Sequence, residues 1–256
     1  MTQGPFDLTG RVAIVTGGNG GIGLGMAHGL ADAGATLVIV GRNQAKSDEA
    51  VAALTVHGGK AIAIAADVTD AAAVAAMIAR VQDACGRIDI LINNAGMSIR
   101  KPPDVLNLQE WETVMKTNLT SAFLCSQAVH PAMKANGGGK IINIGSMMSI
   151  FGAAYAPAYA ASKGGIVQFT RSCACAWAAD NIQANAVLPG WIDTELTQNA
   201  RQQVDGLHDR VLGRTPAGRW GTARDMAGIA VFLSSAASDF VTGAAIPVDG
   251  GFSVMG

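Results

Sequence analysis

Thr16-Gly17-Gly18-Asn19-Gly20-Gly21-Ile22-Gly23 follows directly on the β-branched run at 12–16 and opens a stretch of helical length. Without Cβ atoms the backbone can turn tightly and approach a phosphate group, which then meets the free N–H groups and positive dipole end of the helix. Residues 18–23 match the pattern GxGxxG, but so many glycines make that match weak alone, and a plain tight turn is the alternative. The spacing of Gly17, Gly21 and Gly23 after Thr16 is more specific and predicts a phosphate-binding loop.

The rest of the chain alternates between short apolar runs and alanine-rich stretches of helical length. The runs that predict strands are 12–16, 36–40, 62–65, 88–92, 140–144, 182–187 and 245–248. The stretches that predict helices are 22–33, 45–56, 71–84, 109–133, 159–179 and 224–234. This α/β alternation predicts a single doubly wound parallel sheet with helices on both faces and a ligand crevice at the carboxyl ends of the strands. A length of 256 residues fits one domain, 1–256.

Glycine, aspartate and asparagine mark several of the predicted helix ends. Gly34, Gly58-Gly59 and Gly86 follow the first three helices, where a left-handed residue can close a helix. Asp70 and Asn107 are candidate N-caps. The least regular stretch is predicted at 191–221, and we interpret it as a substrate lid, with a solvated surface excursion as the alternative.

Composition excludes several classes of function. A formal net charge of −1 provides no basic surface for nucleic acid. Only 14% of the residues are charged, well below the about 25% that is typical of soluble domains, which predicts a homo-oligomer.

The sequence predicts no membrane span and no secretory signal. The apolar segment 226–237 is shorter than the about 20 residues of a bilayer span, and the first ten residues lack a secretory pattern, so we expect a soluble, cytoplasmic protein. The cysteines and His28, His57, His130 and His208 lack metal-site spacing, so no metal is expected.

Two predicted strand ends carry side chains that suit the adenosine half of a dinucleotide. NAD usually meets an acidic residue about 20 positions after the glycine loop, whereas here the second strand ends in Val40-Gly41-Arg42. Arg42 can pair with a 2′-phosphate, which favours NADP(H) over NAD(H); a surface arginine near the adenine is the alternative. Asp67-Val68 ends the third strand, where the carboxylate can face the adenine amino group or cap the next helix.

A tyrosine and a lysine one helical turn apart form the centre of the predicted chemistry. Tyr159 and Lys163 share a helix face, and an ammonium beside a phenol favours the phenolate, which lowers the tyrosine pKa from about 10 toward neutrality. Tyr159 can then act as a general acid or base. Ser146, at the end of the preceding strand, can hydrogen-bond a substrate oxygen while a nicotinamide delivers hydride. The spacing YxxxK is common by chance, so an exposed pair is the alternative.

Two further features are the turn Asn93-Asn94-Ala95-Gly96 and Asn118. Together with the glycine loop, Ser146, Tyr159 and Lys163, they resemble the motifs of the short-chain dehydrogenase/reductase family in order and spacing. The resemblance is to the subgroup with a single Rossmann domain. The resemblance implies an NAD(P)-dependent oxidoreductase that interconverts a secondary alcohol and a ketone. It implies Tyr159 as the acid/base, Ser146 as the residue that orients the substrate, Lys163 as a further ligand of the nicotinamide ribose, and Asn118 as the holder of a water for proton relay.

The resemblance runs over residues 10–251 and includes a nicotinamide-binding segment after the sixth strand. The cofactor contacts that it and the motifs imply are Gly17, Asn19, Gly20, Gly21, Ile22, Gly23, Arg42, Asp67, Val68, Asn94, Ala95, Gly96, Tyr159, Lys163, Pro189, Gly190, Ile192 and Thr194. The sequence departs from the family pattern at two positions. Gly20 stands where many NADP-dependent relatives have a basic residue, so the preference for NADP depends on Arg42 alone, and Gly145 replaces the usual second serine.

The pocket that selects the substrate is less well defined by the sequence. The candidates for an apolar pocket are Met97, Met148, Tyr155 and Trp191. The arginines that could meet an anionic group from the lid are Arg201, Arg210 and Arg214. Each of these residues has packing or solvated surface as its alternative role.

Several substrates are compatible with the resemblance. One hypothesis is a sugar acid, a polyol or a small cyclic alcohol, and another is the 3-oxoacyl thioester of an acyl-carrier protein. The segment 213–221 resembles sugar-acid and glucose dehydrogenases slightly more, and no basic docking patch for an acyl carrier is present. A non-catalytic dinucleotide-binding sensor is the alternative from another class. Similar proteins form tetramers through the helices that correspond to 109–133 and 159–179, so we expect a homotetramer.

Overall fold

The computed structural model describes residues 4–56 and 58–256. His57 and residues 1–3, part of the predicted non-secretory start, lie outside the described residues. Seven strands form one parallel sheet in the order β3-β2-β1-β4-β5-β6-β7. Their bounds are β1 Val12–Thr16, β2 Thr36–Gly41, β3 Lys60–Ala65, β4 Ile90–Asn93, β5 Gly139–Ile144, β6 Ile182–Pro189 and β7 Ala245–Val248.

Helices connect the strands and cover both faces of the sheet. Their bounds are α1 Gly21–Asp32, α2 Gln44–Thr55, α3 Ala71–Cys85, α4 Leu108–Met115, α5 Ser121–Ala135, α6 Pro157–Trp177, α7 Glu195–Gln203, α8 Leu207–Arg214 and α9 Ala227–Ser234. Short 3₁₀ turns lie at Met147–Ser149, Ala178–Asp180, Ala223–Met226 and Ala236–Ser238. Within the described ranges, no helix is both long enough and apolar enough to cross a membrane. The predicted fold class is confirmed.

The core consists of two apolar layers, one on each face of the sheet. Alternate residues of a strand point to opposite faces, so Ile14 packs in one layer and Val15 in the other. The first layer is covered by α3, α5 and α6. The second is covered by α1, α2 and α9. Strands buried on both faces explain why the predicted strands are continuous apolar runs rather than alternating ones.

The predicted caps and most of the predicted element bounds are confirmed to within a few residues. Asp70 and Asn107 accept hydrogen bonds from backbone N–H groups in the first turns of α3 and α4. Gly34, Gly58 and Gly86 have positive φ after α1, α2 and α3, the backbone conformation that glycine adopts most readily.

The strand predicted at 88–92 begins two residues later, at Ile90. Asp89, just before it, is buried, and its carboxylate accepts hydrogen bonds from the backbone N–H of Val12 and from the guanidinium groups of Arg11 and Arg87. These contacts fix the base of β1 and β4.

The helix predicted at 109–133 is interrupted. A π-helical turn at Lys116–Thr120 separates α4 from α5, and Asn118 lies inside this turn. Such π-helical turns are frequent at functional sites. An uninterrupted helix was therefore the wrong prediction.

The segment 191–221 is more regular than its sequence predicted, since it contains α7 and α8. Its two ends meet in an isolated parallel bridge between Ile192 and Gly221. Ala200, Leu207 and Val211 form a small apolar cluster of the segment's own. The segment is thus a helical excursion that leaves and rejoins the domain at one place, and the prediction of an irregular stretch was wrong.

The contact between α1 and the 3₁₀ turn that precedes α9 is close enough to test by substitution. A Cβ on Gly25 would lie 2.1 Å from the carbonyl oxygen of Ala223, whereas a Cβ on Gly228 in α9 would meet nothing within 4 Å. We expect Gly25→Ala to lower the free energy of unfolding by roughly 3 kcal/mol through overpacking. We expect Gly228→Ala to raise it by about 0.5–1 kcal/mol through helix propensity. Chemical denaturation of the three proteins measures both effects, and similar stability of the two variants would contradict the packing described here.

Candidate active site

A cavity of about 890 Å³ lies at the carboxyl ends of the strands, where an α/β sheet of this type binds its ligands. The structure brings nearly all of the predicted site residues together in its walls. Gly23 and Asn118 are the two exceptions, and each lies directly behind the lining. Gly17 and Thr197, which are 180 positions apart in the sequence, therefore face the same space.

The glycine loop is held by the turn that follows β4. The Asn94 side-chain amide donates to the carbonyl oxygens of Thr16 (3.1 Å) and Gly17 (2.9 Å), and the Thr16 hydroxyl accepts from the backbone N–H groups of Asn94 and Ala95. A Cβ on Gly23 would lie 2.5 Å from the Asn94 amide nitrogen. Gly23 is therefore required for close packing behind the loop, and Asn94 fixes the loop's shape.

The adenosine end of the cavity is formed by the ends of β2 and β3. Arg42 and Asp67 are exposed at its rim. Asp67 does not cap α3, because that role belongs to Asp70, and its carboxylate instead accepts from the backbone N–H of Thr69 at 2.9 Å. This hydrogen bond holds the pKa of Asp67 below its ordinary value, with a smaller contribution from the charge of Arg42.

Ser146, Tyr159 and Lys163 meet at the other end of the cavity. Ser146 follows β5, and its hydroxyl accepts from the backbone N–H of Met148. Tyr159 lies in the first turn of α6, which begins at Pro157, a residue suited to the first helical position. Lys163, one turn later, is buried. A strand end and a helix start thus place the three side chains predicted to carry the chemistry in one region.

The environment of Tyr159 differs from the one predicted. Burial raises the pKa of Tyr159, while the hydrogen bond with Ser146 and the charge of Arg100 oppose that rise. The Lys163 ammonium donates to the carbonyl oxygen of Ile144 at 2.7 Å and lies 5.7 Å from the centre of the Tyr159 ring. Burial also lowers the pKa of Lys163, to about 8. The expectation that Lys163 lowers the pKa of Tyr159 is wrong for this arrangement, in which Ser146 and Arg100 have that effect.

Asn118 fixes the loop on which Met97 lies. Its side-chain oxygen accepts from the backbone N–H of Met97 (2.8 Å), and its amide donates to the Met97 carbonyl oxygen (2.9 Å) and to the Ser162 hydroxyl (3.0 Å). The π-helical turn directs this buried side chain toward the loop after β4. The side-chain amide is thus fully engaged in positioning Met97, and the relay water expected at Asn118 stays a prediction.

A side chain at position 145 would crowd its neighbours in this structure. A Cβ at this position would lie 2.3 Å from a methyl carbon of Leu188 and 3.0 Å from the hydroxyl oxygen of Ser149. A nearby serine, Ser149, connects the strand end to α6. Its hydroxyl accepts from the backbone N–H of Ser146 and donates to the Lys163 carbonyl oxygen. Ser149 was not among the residues predicted from the sequence.

The main site residue that the sequence reading missed is Arg100. It lines the cavity, and its guanidinium donates to the carbonyl oxygen of Leu196 and to the side chain of Gln203, both at 3.1 Å. Its charge acts on Tyr155 and Tyr159. Arg100 stands only three residues after Met97, on the loop after a strand end, which indicates that it lies near the cavity but does not show the contacts with α7 that give it its role.

The predicted apolar pocket residues Met97, Met148, Tyr155 and Trp191 all line the cavity. Two of the three arginines proposed for an anionic group have other contacts in this structure, and their role toward an anionic group stays a prediction. Arg201 pairs with Asp193 and stacks on Trp220, and Arg214 lies between Phe151 and Phe252. Arg210 donates to the Asp205 carbonyl oxygen, and its charge lowers the pKa of Tyr155 against a larger rise from burial.

Known proteins share both the sequence and the shape of this chain. A family model described as enoyl-(acyl carrier protein) reductase matches residues 17–253. A 2-dehydro-3-deoxy-D-gluconate 5-dehydrogenase from Dickeya dadantii is 42% identical over 253 residues, which cover 98% of this chain and 99% of that protein. The solved structure of a short-chain type dehydrogenase/reductase from Mycobacterium marinum is 33% identical with a TM-score of 0.93, covering 97% of this chain and 98% of that one. The chain belongs to the short-chain dehydrogenase/reductase family.

This short-chain dehydrogenase/reductase is also similar to a gluconate 5-dehydrogenase from Burkholderia cenocepacia, solved in complex with NADP and tartrate. The two are 42% identical with a TM-score of 0.93, and the match covers 98% of each chain. The predicted reaction class is confirmed: the chain is an NAD(P)-dependent oxidoreductase that interconverts a secondary alcohol and a ketone by hydride transfer. These relatives do not favour the acyl-thioester alternative.

The cavity fits a nicotinamide dinucleotide. The glycine loop borders it at the start of α1, and a Cβ on Gly20 would project into the space in front of the loop, with only the Lys46 side chain within 4 Å. A Cβ on Gly21 would lie 3.2 Å from Thr194 across the cavity. Within residues 4–56 and 58–256, no group of three or more histidine, cysteine or acidic side chains is arranged to hold a metal ion.

Proposed function

We propose that this enzyme interconverts a hydroxyl and a ketone on a sugar acid, with NADP(H) preferred over NAD(H). The observation that carries the proposal is Arg100, a guanidinium that lines the same cavity as Tyr159 and acts electrostatically on it. A fixed cation beside the acid/base suits a substrate with a carboxylate. The relatives named for gluconate derivatives, and the tartrate bound in one of them, support the same substrate class.

The chain's own residues account for the proton half of the reaction. Tyr159 donates its hydroxyl proton to the ketone oxygen during reduction and accepts the alcohol proton during oxidation. Ser146 holds the same substrate oxygen by hydrogen bond, and Lys163 holds the nicotinamide ribose. Asn118 positions Met97 through its side chain, and the relay water that the resemblance implies at Asn118 remains part of the proposal. When bound, the nicotinamide supplies or accepts the hydride.

The proposed dinucleotide contacts follow the cavity from the adenosine end to the catalytic end. Arg42 supports the preference for NADP(H), because it lines the cavity at the end of β2, a strand end without a carboxylate. The other proposed contacts are Gly17, Asn19, Gly20, Gly21, Ile22, Gly23, Asp67, Val68, Asn94, Ala95, Gly96, Tyr159, Lys163, Pro189, Gly190, Ile192 and Thr194. Met97, Met148, Tyr155 and Trp191 form the proposed apolar side of the substrate pocket.

We also propose that the single domain 1–256 uses residues 191–221 as a lid. The bridge between Ile192 and Gly221 gives the segment a common base, and Arg100 connects it to the cavity through Leu196 and Gln203. Hydrogen bonds between this segment and a residue of the pocket are suited to closure over substrate.

A homotetramer and a cytoplasmic location complete the proposal. Trp111 on α4 and Phe123 on α5 are large apolar side chains with substantial exposure, as an interface through these helices would require. All four cysteines are free thiols, which suits a reducing compartment. Sedimentation tests the assembly, and a monomer at micromolar concentration would contradict it.

The rate of each direction should depend oppositely on pH. Burial raises the pKa of Tyr159, so the phenol is protonated at neutral pH. Reduction needs the protonated phenol and should be fast at neutral pH. Oxidation needs the phenolate, so its rate should increase as the pH rises through the pKa of Tyr159. Arg100 lowers the pKa of Tyr159, so Arg100→Gln should move the inflection for oxidation to higher pH. Measurement of kcat against pH in both directions tests this, and a shift of the Arg100→Gln profile to lower pH would contradict it.

A substrate panel tests the proposed function directly. The wild-type enzyme is assayed with sugar acids, neutral polyols, cyclic alcohols and a 3-oxoacyl thioester, with NAD(H) and NADP(H) in parallel, by the absorbance of the reduced nicotinamide. We expect the highest kcat/KM for a sugar acid with NADP(H). Higher kcat/KM for the thioester would overturn the substrate class, and cofactor binding without any turnover would favour the sensor alternative.

A further inference from the structure

Lys46 extends from α2 toward the glycine loop. It is the third residue of the helix, and its backbone N–H donates to the N-cap side chain of Asn43 at 3.1 Å. A Cβ on Gly20 would lie 3.4 Å from Cε and 3.5 Å from Nζ of Lys46. The ammonium group of Lys46 therefore lies directly in front of Gly20, the position at which this chain lacks a basic side chain.

The neighbouring contacts join Lys46 and Arg42 to the same end of the cavity. The Asn19 amide donates to the Ser47 hydroxyl at 3.0 Å, and a Cβ on Gly41 would lie 2.4 Å from that amide nitrogen. The glycine loop, the end of β2 and the start of α2 are thus packed against one another. Arg42 and Lys46 both line the cavity at this junction.

The present partner of Lys46 is a weak one. Its ammonium lies 3.4 Å from the carboxylate of Glu195, the first residue of α7, and the two side chains are 47% and 81% exposed. Exposed pairs of this kind contribute little to stability. A phosphate monoester, with nearly two negative charges and three acceptor oxygens, is a stronger partner for a lysine and an arginine than one exposed carboxylate.

We propose that Lys46 is a second specificity-determining residue, which binds the 2′-phosphate of NADP(H) together with Arg42. This inference rests on the proposed function, because it requires the dinucleotide in this cavity. Lys46 supplies from α2 the positive charge that Gly20 does not supply from the glycine loop. Glu195 competes with the phosphate for Lys46, so the start of α7 is electrostatically coupled to the cofactor site.

Nucleotide binding without turnover tests the proposal. Titration calorimetry measures the Kd of adenosine 2′,5′-bisphosphate and of 5′-AMP for the wild-type protein, Lys46→Gln, Glu195→Gln and Lys60→Gln. Lys60 is a matched control, because it is an exposed lysine at the amino end of β3, whereas the cavity lies at the carboxyl ends of the strands. We expect Lys46→Gln to weaken the bisphosphate about fivefold, as loss of one charge-assisted contact implies, and to leave 5′-AMP nearly unchanged.

Glu195→Gln should tighten binding of the bisphosphate, and Lys60→Gln should change neither Kd. The proposal is overturned if Lys46→Gln weakens both nucleotides equally, which would place Lys46 at the 5′-phosphate, or if it weakens neither. It is also overturned if the wild-type protein binds the two nucleotides alike. Nucleotide binding tests this inference, whereas turnover tests the proposed substrate. If the wild-type protein discriminates between the two nucleotides but turns over no sugar acid, the inference is supported and the proposed substrate is wrong.

Discussion

Replacement of Tyr159 by phenylalanine should lower kcat by about 10²–10⁴-fold, the contribution typical of a positioned general acid or base. The ring would still fill its place at the end of the cavity, so NADP(H) should bind with a Kd close to that of the wild-type protein. Steady-state assays in both directions, together with titration of the fluorescence of the reduced nicotinamide, separate the two effects.

The sequence provides a matched control for this substitution. Tyr155 is the other of the two tyrosines in the chain, and it lines the same cavity. Tyr155→Phe removes a hydroxyl from the pocket but no acid/base, so its kcat should fall by much less. Equal losses in the two variants would show that a general effect of the pocket, and not proton transfer by Tyr159, limits turnover.

Replacement of Arg100 by glutamine should lower kcat/KM for a sugar acid by about 10- to 100-fold. A hydrogen bond to a charged group contributes roughly 1.5–3 kcal/mol, and 1.4 kcal/mol corresponds to about tenfold. A neutral secondary alcohol has no carboxylate and therefore makes no such contact with Arg100, so its kcat/KM should change much less. The ratio of the two kcat/KM values is the informative measurement.

That ratio also separates recognition of the carboxylate from closure of the lid. Arg100 donates to Leu196 and Gln203 on the segment 191–221, so a defect in closure would reduce turnover of charged and neutral substrates alike. Arg219→Gln is the control on the segment itself, because the exposed Arg219 guanidinium pairs with Asp225 and does not line the cavity. A parallel loss for both substrates in Arg100→Gln would assign Arg100 to the lid alone.

The parts of the site that could be predicted from the sequence depend on local patterns. A glycine loop between a strand and a helix is a contiguous signal, and so is the spacing of Tyr159 and Lys163 on one turn of α6. In a parallel sheet the carboxyl ends of the strands meet at one edge, so Ser146 and Asn94 could be placed near them without knowledge of tertiary contacts.

The parts that could not be predicted depend on contacts between distant segments. Arg100 acquires its role from α7 and the segment around it, and its hydrogen bond to Leu196 joins residues 96 positions apart. Lys46 reaches the glycine loop only because α2 folds back against it. The pKa of Tyr159 depends on burial more than on Lys163, a balance that spacing in the sequence does not show.

Reduction of a keto sugar acid by NADPH, followed at the absorbance of the reduced nicotinamide, tests the central claim most directly. The wild-type enzyme should consume NADPH in proportion to the hydroxy acid formed. Tyr159→Phe, at saturating NADPH, should consume it at least about 10²-fold more slowly. Turnover by Tyr159→Phe at the wild-type rate would contradict the assignment of Tyr159 as the acid/base on which this account depends.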